Sequence, residues 1–493
     1  MVLGMFMAIL DIQIVAASLP EIGAGVGASV DEYSWIQTSY LIAEVIMIPL
    51  SGWLTRAVST RWLFMASAGT FTVASVACAF AWNIESLIVF RAVQGFLGGA
   101  MIPTVFATSF KLFPRERQPM ITVMIGLVAT MAPTFGPTLG GWITHALSWH
   151  WLFLINLVPG IAVAVLVFSF VHVDKPDLRV LKGFDLPGIL LVAVSLGSLQ
   201  YVLEEGPRND WFESRAIVSL GAVAAVAGVL LVWREMTAAQ PVVELRAFSD
   251  RNFSIGCFYS FVIGTGLYGA IYVLPLYMSQ VRGYDSLEIG KTLIVTGLFQ
   301  FLSAPIAGIL AKRIDLRLML ASGLLLFGGG LWLNVAITSE WGFWELALPQ
   351  AVRGGSLMLI FLPINTIALG RLPKSQLNNA SGLYNLMRNL GGAIGLATLG
   401  TIIGERGDMH RLRLSEWITG GHLRATETLD AVSAALAPRL GDASNLAAIR
   451  VVDAIVRREA LTMTFADALL LMSLVFIAAL LLTPLLRGVA GKA

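Results

Sequence analysis

Charge is scarce in this chain. Only 13% of its 493 residues are Asp, Glu, Lys or Arg, against about 25% in an ordinary soluble domain, while 57% are hydrophobic and the mean hydropathy is +0.78. A soluble multidomain enzyme is thereby excluded. The net charge of +2 is too small for a basic nucleic-acid-binding surface. Cysteine is almost missing as well: Cys78 and Cys257 each sit inside an apolar run, far apart, and read as small buried hydrophobes rather than a disulfide or metal pair. None of the five histidines has the H-E-x-x-H spacing of a metalloprotease. Gly290-Lys291-Thr292 ends like a phosphate-binding loop, but Asp285 stands where that loop opens with glycine, which disfavours an ATP-driven pump.

What the chain has in abundance is long apolar runs. About 20 such residues cross roughly 30 Å of hydrocarbon as a helix. This window predicts spans at 2–20, 35–54, 62–81, 84–105, 119–142, 150–171, 185–203, 215–233, 252–274, 288–311, 318–337, 342–369, 380–404 and 464–486. The expectation is an all-α integral membrane protein of about 14 helices. The first run starts at Met1 without a basic leader and carries Asp11 at its centre, which predicts a functional first helix rather than a signal peptide.

Lysine and arginine alternate between loops. Arg56 and Arg61, Lys111 and Arg117, Lys175 and Arg179, Arg234 and Arg246, Lys312 and Arg313, and Arg371 and Lys374 share one side. The other side holds Glu21, Glu32, Glu204, Glu205, Asp210 and Glu340, with Arg208 and Arg282. Basic residues stay inside, so both termini are expected in the cytoplasm, with Arg487 and Lys492 in an inner tail. The outer segment 405–463 is polar, and Leu446, Ile449, Val452, Ile455 and Val456 recur at helical spacing in it. It reads either as a cap over the outer mouth or as a docking surface for a periplasmic partner.

The chain also repeats itself. Gly52 to Arg61 aligns with Gly308 to Arg317, with glycine, leucine and two basic positions matching, and Arg91 to Gly95 aligns with Gln350 to Gly354 at nearly the same offset. Two six-helix bundles follow, 1–172 and 252–493 (the latter including the outer segment), with a 173–251 linker holding two extra helices.

An ionisable side chain in the bilayer core costs several kcal/mol unless it faces a partner or water, so each is a candidate site. Asp11 and Glu44 fall at one depth, and Arg91 is the nearest cation in the same half. Burial and a neighbouring arginine push a carboxylate in opposite directions, which suits proton binding and release. The competing reading is a static ion pair that clamps helices. The expected substrate lining is Tyr259, Tyr272, Gln300, Met358 and Asn365, with Gln94 and the polar cluster Asn385 and Arg388, a permissive pocket for amphiphiles. Gly136-Pro137 with Gly140-Gly141 marks a close-packing helix that gates or pivots. Gly52, Arg61, Gly308 and Arg317 mark the repeated gating loop. No metal or cofactor is expected.

These residues resemble the major facilitator superfamily, and within it the 14-helix drug:proton antiporters of the EmrB/QacA type. Leu10-Asp11-Ile12-Gln13-Ile14-Val15 with Leu19-Pro20 is similar to that group's first-helix motif, with Gln13 replacing threonine. Gly52 to Arg61 fits the loop motif in part: Arg56 stands at its aspartate and Ser59 at its second glycine. Arg91, Gln94 and Gly95 fit the fourth-helix motif, Gly136 to Gly141 the antiporter motif, and Trp149 to Gly160 the sixth-helix signature, with His150 replacing arginine. Arg388 fits an arginine of the EmrB-like members. The resemblance implies proton-gradient-driven efflux of drugs or other small amphiphiles across the bacterial inner membrane, with Arg91 in proton coupling. It also implies a periplasmic adaptor, an EmrA-like membrane fusion protein, and an outer-membrane channel as partners. Rival readings are a narrow metabolite exporter or uptake symporter of the same fold, and a non-transporting receptor or enzyme.

Overall fold

The computed structural model describes all residues except 30, 31, 115, 184, 239, 420–422 and 487–493, so Arg487 and Lys492 lie outside the described residues. Every regular element among the described residues is helical. The first group is α1 (Val2–Ala16), α2 (Leu19–Gly25), α3 (Trp35–Val58), α4 (Thr60–Ala79), α5 (Ile84–Gly98), α6 (Met101–Leu112), α7 (Gln118–Ala146), α8 (His150–Leu154) and α9 (Leu157–Phe170). Then come α10 (Leu186–Glu205) and α11 (Arg215–Thr237). The last group is α12 (Arg251–Gln280), α13 (Ser286–Arg313), α14 (Leu316–Leu333), α15 (Phe343–Leu369), α16 (Leu377–Thr419), α17 (Leu423–Leu440) and α18 (Ser444–Ala479). Thirteen spans among the described residues are long and apolar enough to cross a membrane, and the bent pair α1–α2 makes fourteen.

Three expected spans are broken, each near a proline. The first turns by 75° between α1 and α2, where Pro20 has no N–H to continue the ladder. The fourth parts at Gly99-Ala100 into α5 and α6, because Pro103 cannot donate back to the Gly99 carbonyl. The sixth parts at Ile155-Asn156 into α8 and α9, where Pro159 cannot donate back to the Ile155 carbonyl. The outer segment also differs from a loop. No proline interrupts α16 over 43 residues, about 64 Å of helix, so it must leave a hydrocarbon layer of about 30 Å. It projects with the lower half of α18 as a hairpin, joined by His410 to Asp467 at 2.9 Å and Arg411 to Asp453 at 3.2 Å, with α17 packed on α18.

Helices of the first group pack on one another, as do those of the last. Across the seam α7 lies on α13 and α3 on α16, while α10 covers the edge where α3 meets α16. α11 packs on α10, joined by Arg234 to Asp185 at 3.0 Å. The expected linker helix thus ends later than 203: α10 runs through Glu205 and places its last turn against α3.

Candidate functional site

α1 and α7 approach closely because α7 carries glycine where α1 crosses it. A Cβ on Gly136 would stand 2.3 Å from the Gln13 Cβ, and one on Gly140 2.6 Å from the Ile14 carbonyl oxygen. Neither contact is possible for a larger residue without separating the helices. Pro137, one residue on from Gly136, faces a cavity, and Gly141 is partly exposed.

The same packing seals Asp11 beside Arg91. Both are fully buried, and the Arg91 Nη1 donates to Asp11 Oδ2 at 2.5 Å. Asp11 Oδ1 accepts from Asn156 Nδ2 at 2.7 Å and Gln94 Nε2 at 3.1 Å. Arg91 also donates to Gln94 Oε1 at 2.8 Å and the Ile36 carbonyl at 3.1 Å, and its guanidinium lies 4.3 Å from the Tyr40 ring centroid. Both carboxylate oxygens are therefore engaged, while the buried Arg91 Nη2 has no hydrogen-bond partner among the described residues. Gln94, expected in the substrate lining, is instead a member of this cluster.

Glu44, expected at the depth of Asp11, shares none of its hydrogen-bond partners. It is 1% exposed, has no hydrogen bond to Oε1 among the described residues, and lines a separate cavity. That cavity has a volume of about 540 Å³. Its walls come from α1, α2, α3, α7, α10, α12, α13 and α16. It reaches the hairpin end, where Ser34, Arg208, Ser279 and Ile289 lie at helix termini.

The opposite, arginine-rich end is closed. A Cβ on Gly52 of α3 would meet the Asn379 backbone of α16 at 2.8 Å, and Asn379 in turn donates to Glu244 at 3.3 Å. Ser381 Oγ donates to the Pro103 carbonyl at 2.6 Å and Lys374 Nζ to the Lys111 carbonyl at 3.2 Å, both across the seam. Phe106 sits 6.1 Å from Phe361 and 6.4 Å from Tyr384. Arg61 lies over Phe168 at 4.3 Å, and Arg317 pairs with Asp315 at 2.8 Å, so the two repeated basic positions have local partners. Gly308 faces Val123 of α7.

The expected substrate residues stand in different places. Of the eight, Tyr272 lines the cavity. Met358 is fully buried, Asn365 donates to its own helix at Phe361 (2.7 Å) and Asn385 to Ser381 (2.8 Å). Gln300 donates to Thr130 of α7, and Arg388, 4% exposed, lies 5.8 Å from the Phe106 ring. Tyr259 does not line the cavity, and its hydroxyl bonds the Ala479 carbonyl and Thr483 at 3.0 Å each. Gly290 lies inside α13, where it packs on Thr138 of α7.

Three features escaped sequence reasoning. Gln200, Glu204 and Glu205 of α10 line the cavity, and the signal was one extra helical turn beyond the apolar run. Asn156 completes the Asp11 cluster, and its place in the sixth-helix signature pointed to it. Arg353, 3% exposed, bonds Gln350 at 2.5 Å and Thr296 at 3.2 Å with no carboxylate within 4 Å among the described residues. A lone charge inside an apolar run was its signal.

The sequence profile described as Major Facilitator Superfamily matches residues 1–396. The "Colistin resistance protein EmrB" of Acinetobacter baumannii is 39% identical over 98% of this chain and 94% of its own length. "Multidrug export protein EmrB" of Haemophilus influenzae and that of Escherichia coli are each 33% identical over 84% of this chain, and over 82% and 81% of their own lengths. Among solved structures, the proton:xylose symporter XylE superposes with a TM-score of 0.62 at 12% identity, over 100% of this chain and 95% of that one. The human organic anion transporter MFSD10 does so with 0.60 at 14%, over 96% and 97%. At such identities the structures speak for the fold alone. The profile and the end-to-end relatives together place the chain: it belongs to the Major Facilitator Superfamily, in the company of EmrB-type export proteins.

Proposed function

We propose that this protein exports small amphiphilic toxic compounds across the bacterial inner membrane in exchange for protons, by rocking residues 1–172 against 252–493 about the central cavity. The observation that carries the reading is the pairing of a cavity open towards one end and closed at the other with a sealed Asp11–Arg91 cluster behind its wall. The names of the EmrB relatives support drugs as cargo. Asp11 takes the proton. Neutralising it removes the charge that holds Arg91, which loosens α1 against α5 and biases the bundles towards the alternative state. Glu44, on the cavity wall, senses cargo and proton together. Met358, Asn365, Asn385 and Arg388 become accessible when the arginine-rich end opens. The proton gradient drives the cycle without a cofactor. The arginine-rich end and both termini face the cytoplasm, and the hairpin faces the periplasm, where an EmrA-like adaptor leading to an outer-membrane channel would dock. The test is proton-driven accumulation of a fluorescent amphiphile in inverted membrane vesicles. Wild type accumulates it and Asp11→Asn does not; accumulation by Asp11→Asn at the wild-type rate and pH dependence would overturn the assignment. Accumulation only with the gradient reversed would identify an uptake carrier.

A further inference from the structure

The cavity wall carries three carboxylates, Glu44 from α3 and Glu204 and Glu205 from α10, against a single guanidinium, Arg208. None of the three has a cationic partner within 4 Å among the described residues. Glu205 is held by Thr38 Oγ1 at 3.4 Å and Glu204 by Gln200 Nε2 at 2.9 Å. Glu44, 99% buried, turns to the cavity with Oε1 lacking any hydrogen bond among the described residues. Arg388 and Arg91 act on Glu44 from behind the wall and Arg208 acts on Glu204, but without contact, and carboxylates lacking a direct partner in a membrane protein call for a cation.

The kind of cation follows from spacing and wall chemistry. No group of three or more Asp, Glu, His or Cys among the described residues is close enough together to hold a metal ion, so the acids are spread too widely for a small, tightly coordinated charge. The rest of the wall is apolar and aromatic, with Tyr268 and Tyr272 among it, and the volume of about 540 Å³ suits a drug-sized ligand. We infer that the linker helix α10 is a working wall of the substrate cavity, and that Glu204 and Glu205 with Glu44 form a subsite for bulky organic cations with delocalised charge. α10 is then not a spacer. α10 covers the α3–α16 edge and supplies the selectivity of the mouth. The inference rests on the export reading for why such a cation enters the cavity.

The test uses the full chain in lipid nanodiscs and two probes of nearly equal shape and opposite charge, tetraphenylphosphonium and tetraphenylborate, with binding measured by calorimetry. Wild type is expected to prefer the cation. Glu204→Gln/Glu205→Gln should weaken tetraphenylphosphonium by at least about tenfold and leave tetraphenylborate unchanged or tighter, which also reports that the cavity is intact. Arg208→Gln, an independent variant should the first not fold, should tighten tetraphenylphosphonium several-fold. A wild type without preference for the cation, a double variant within twofold of wild type, or an Arg208→Gln that weakens the cation would each overturn the subsite. Cation binding lost in the double variant, together with no proton-driven flux even in wild type, would sink the export reading and leave the subsite standing.

Discussion

Replacing Asp11 by asparagine removes the one carboxylate within 4 Å of the Arg91 guanidinium among the described residues, at a site where both side chains are fully buried. Breaking a buried pair from one side costs about 3–5 kcal/mol, because a charge is left without its counterion. Here Arg91 keeps Gln94 Oε1 at 2.8 Å, the Ile36 carbonyl at 3.1 Å and the Tyr40 ring at 4.3 Å, so the lower end, about 3 kcal/mol, is expected. Asp11→Asn/Arg91→Gln removes both charges and should recover most of that loss, a coupling of about 2 kcal/mol between the sites. Stability is read as the shift in unfolding midpoint in mixed micelles of rising sodium dodecyl sulfate fraction, and flux as proton-driven accumulation in inverted vesicles. A static clamp and a proton carrier diverge in the double variant. A clamp regains transport along with stability, whereas a proton carrier regains stability and stays uncoupled. An Asp11→Asn protein as stable as wild type, or a double variant with wild-type pH dependence of flux, would refute the reasoning.

Ser59 joins α3 to α4 with φ +77° and ψ 156°, a backbone region nearly reserved for glycine and worth about 1–3 kcal/mol of strain in other residues. Ser59→Gly should therefore raise stability by about 1 kcal/mol after glycine's greater chain entropy is deducted, seen as a higher thermal midpoint in detergent. Gly140→Ala puts a Cβ 2.6 Å from the Ile14 carbonyl oxygen, which backbone cannot yield, and should cost about 1–3 kcal/mol and most of the flux; a wild-type rate would show that α1 and α7 are free to part. Ser381→Ala deletes the 2.6 Å bond to the Pro103 carbonyl across the closed end. Its loss, about 1 kcal/mol, should open that end roughly fivefold more often, measurable as faster amide exchange in α6 and the start of α16.

The course of the chain was legible because lipid imposes a simple rule: about 20 apolar residues per crossing and arginines between alternate crossings. Asp11 and Arg91 were legible for the same reason, since an ion in hydrocarbon must find a partner. Glu204 and Glu205 were not. They end an apolar run, where a charge reads as the start of a loop, and only the packing of α10 on α3 turns that last helical turn inward. Which of the expected substrate residues reach the cavity was the least legible. Which face of α12, α15 or α16 meets the cavity depends on how far the two bundles are tilted, and periodicity along one helix carries no information about that. Met358 and Asn385 lie in the closed half and Tyr272 in the open half for this reason.

The continuity of α16 has a mechanical side. One unbroken helix begins with Asn379, Ser381 and Tyr384 in the closed seam, carries Asn389 and Gly392 past the cavity, and ends outside the membrane where Arg411 holds Asp453. A rod of about 64 Å rocked by about 10° at one end moves the other by roughly 11 Å. The hairpin is thus a pointer whose position records the state of a gate on the far side of the bilayer. A protein resting on it could follow the cycle of the carrier without touching cargo, proton or lipid.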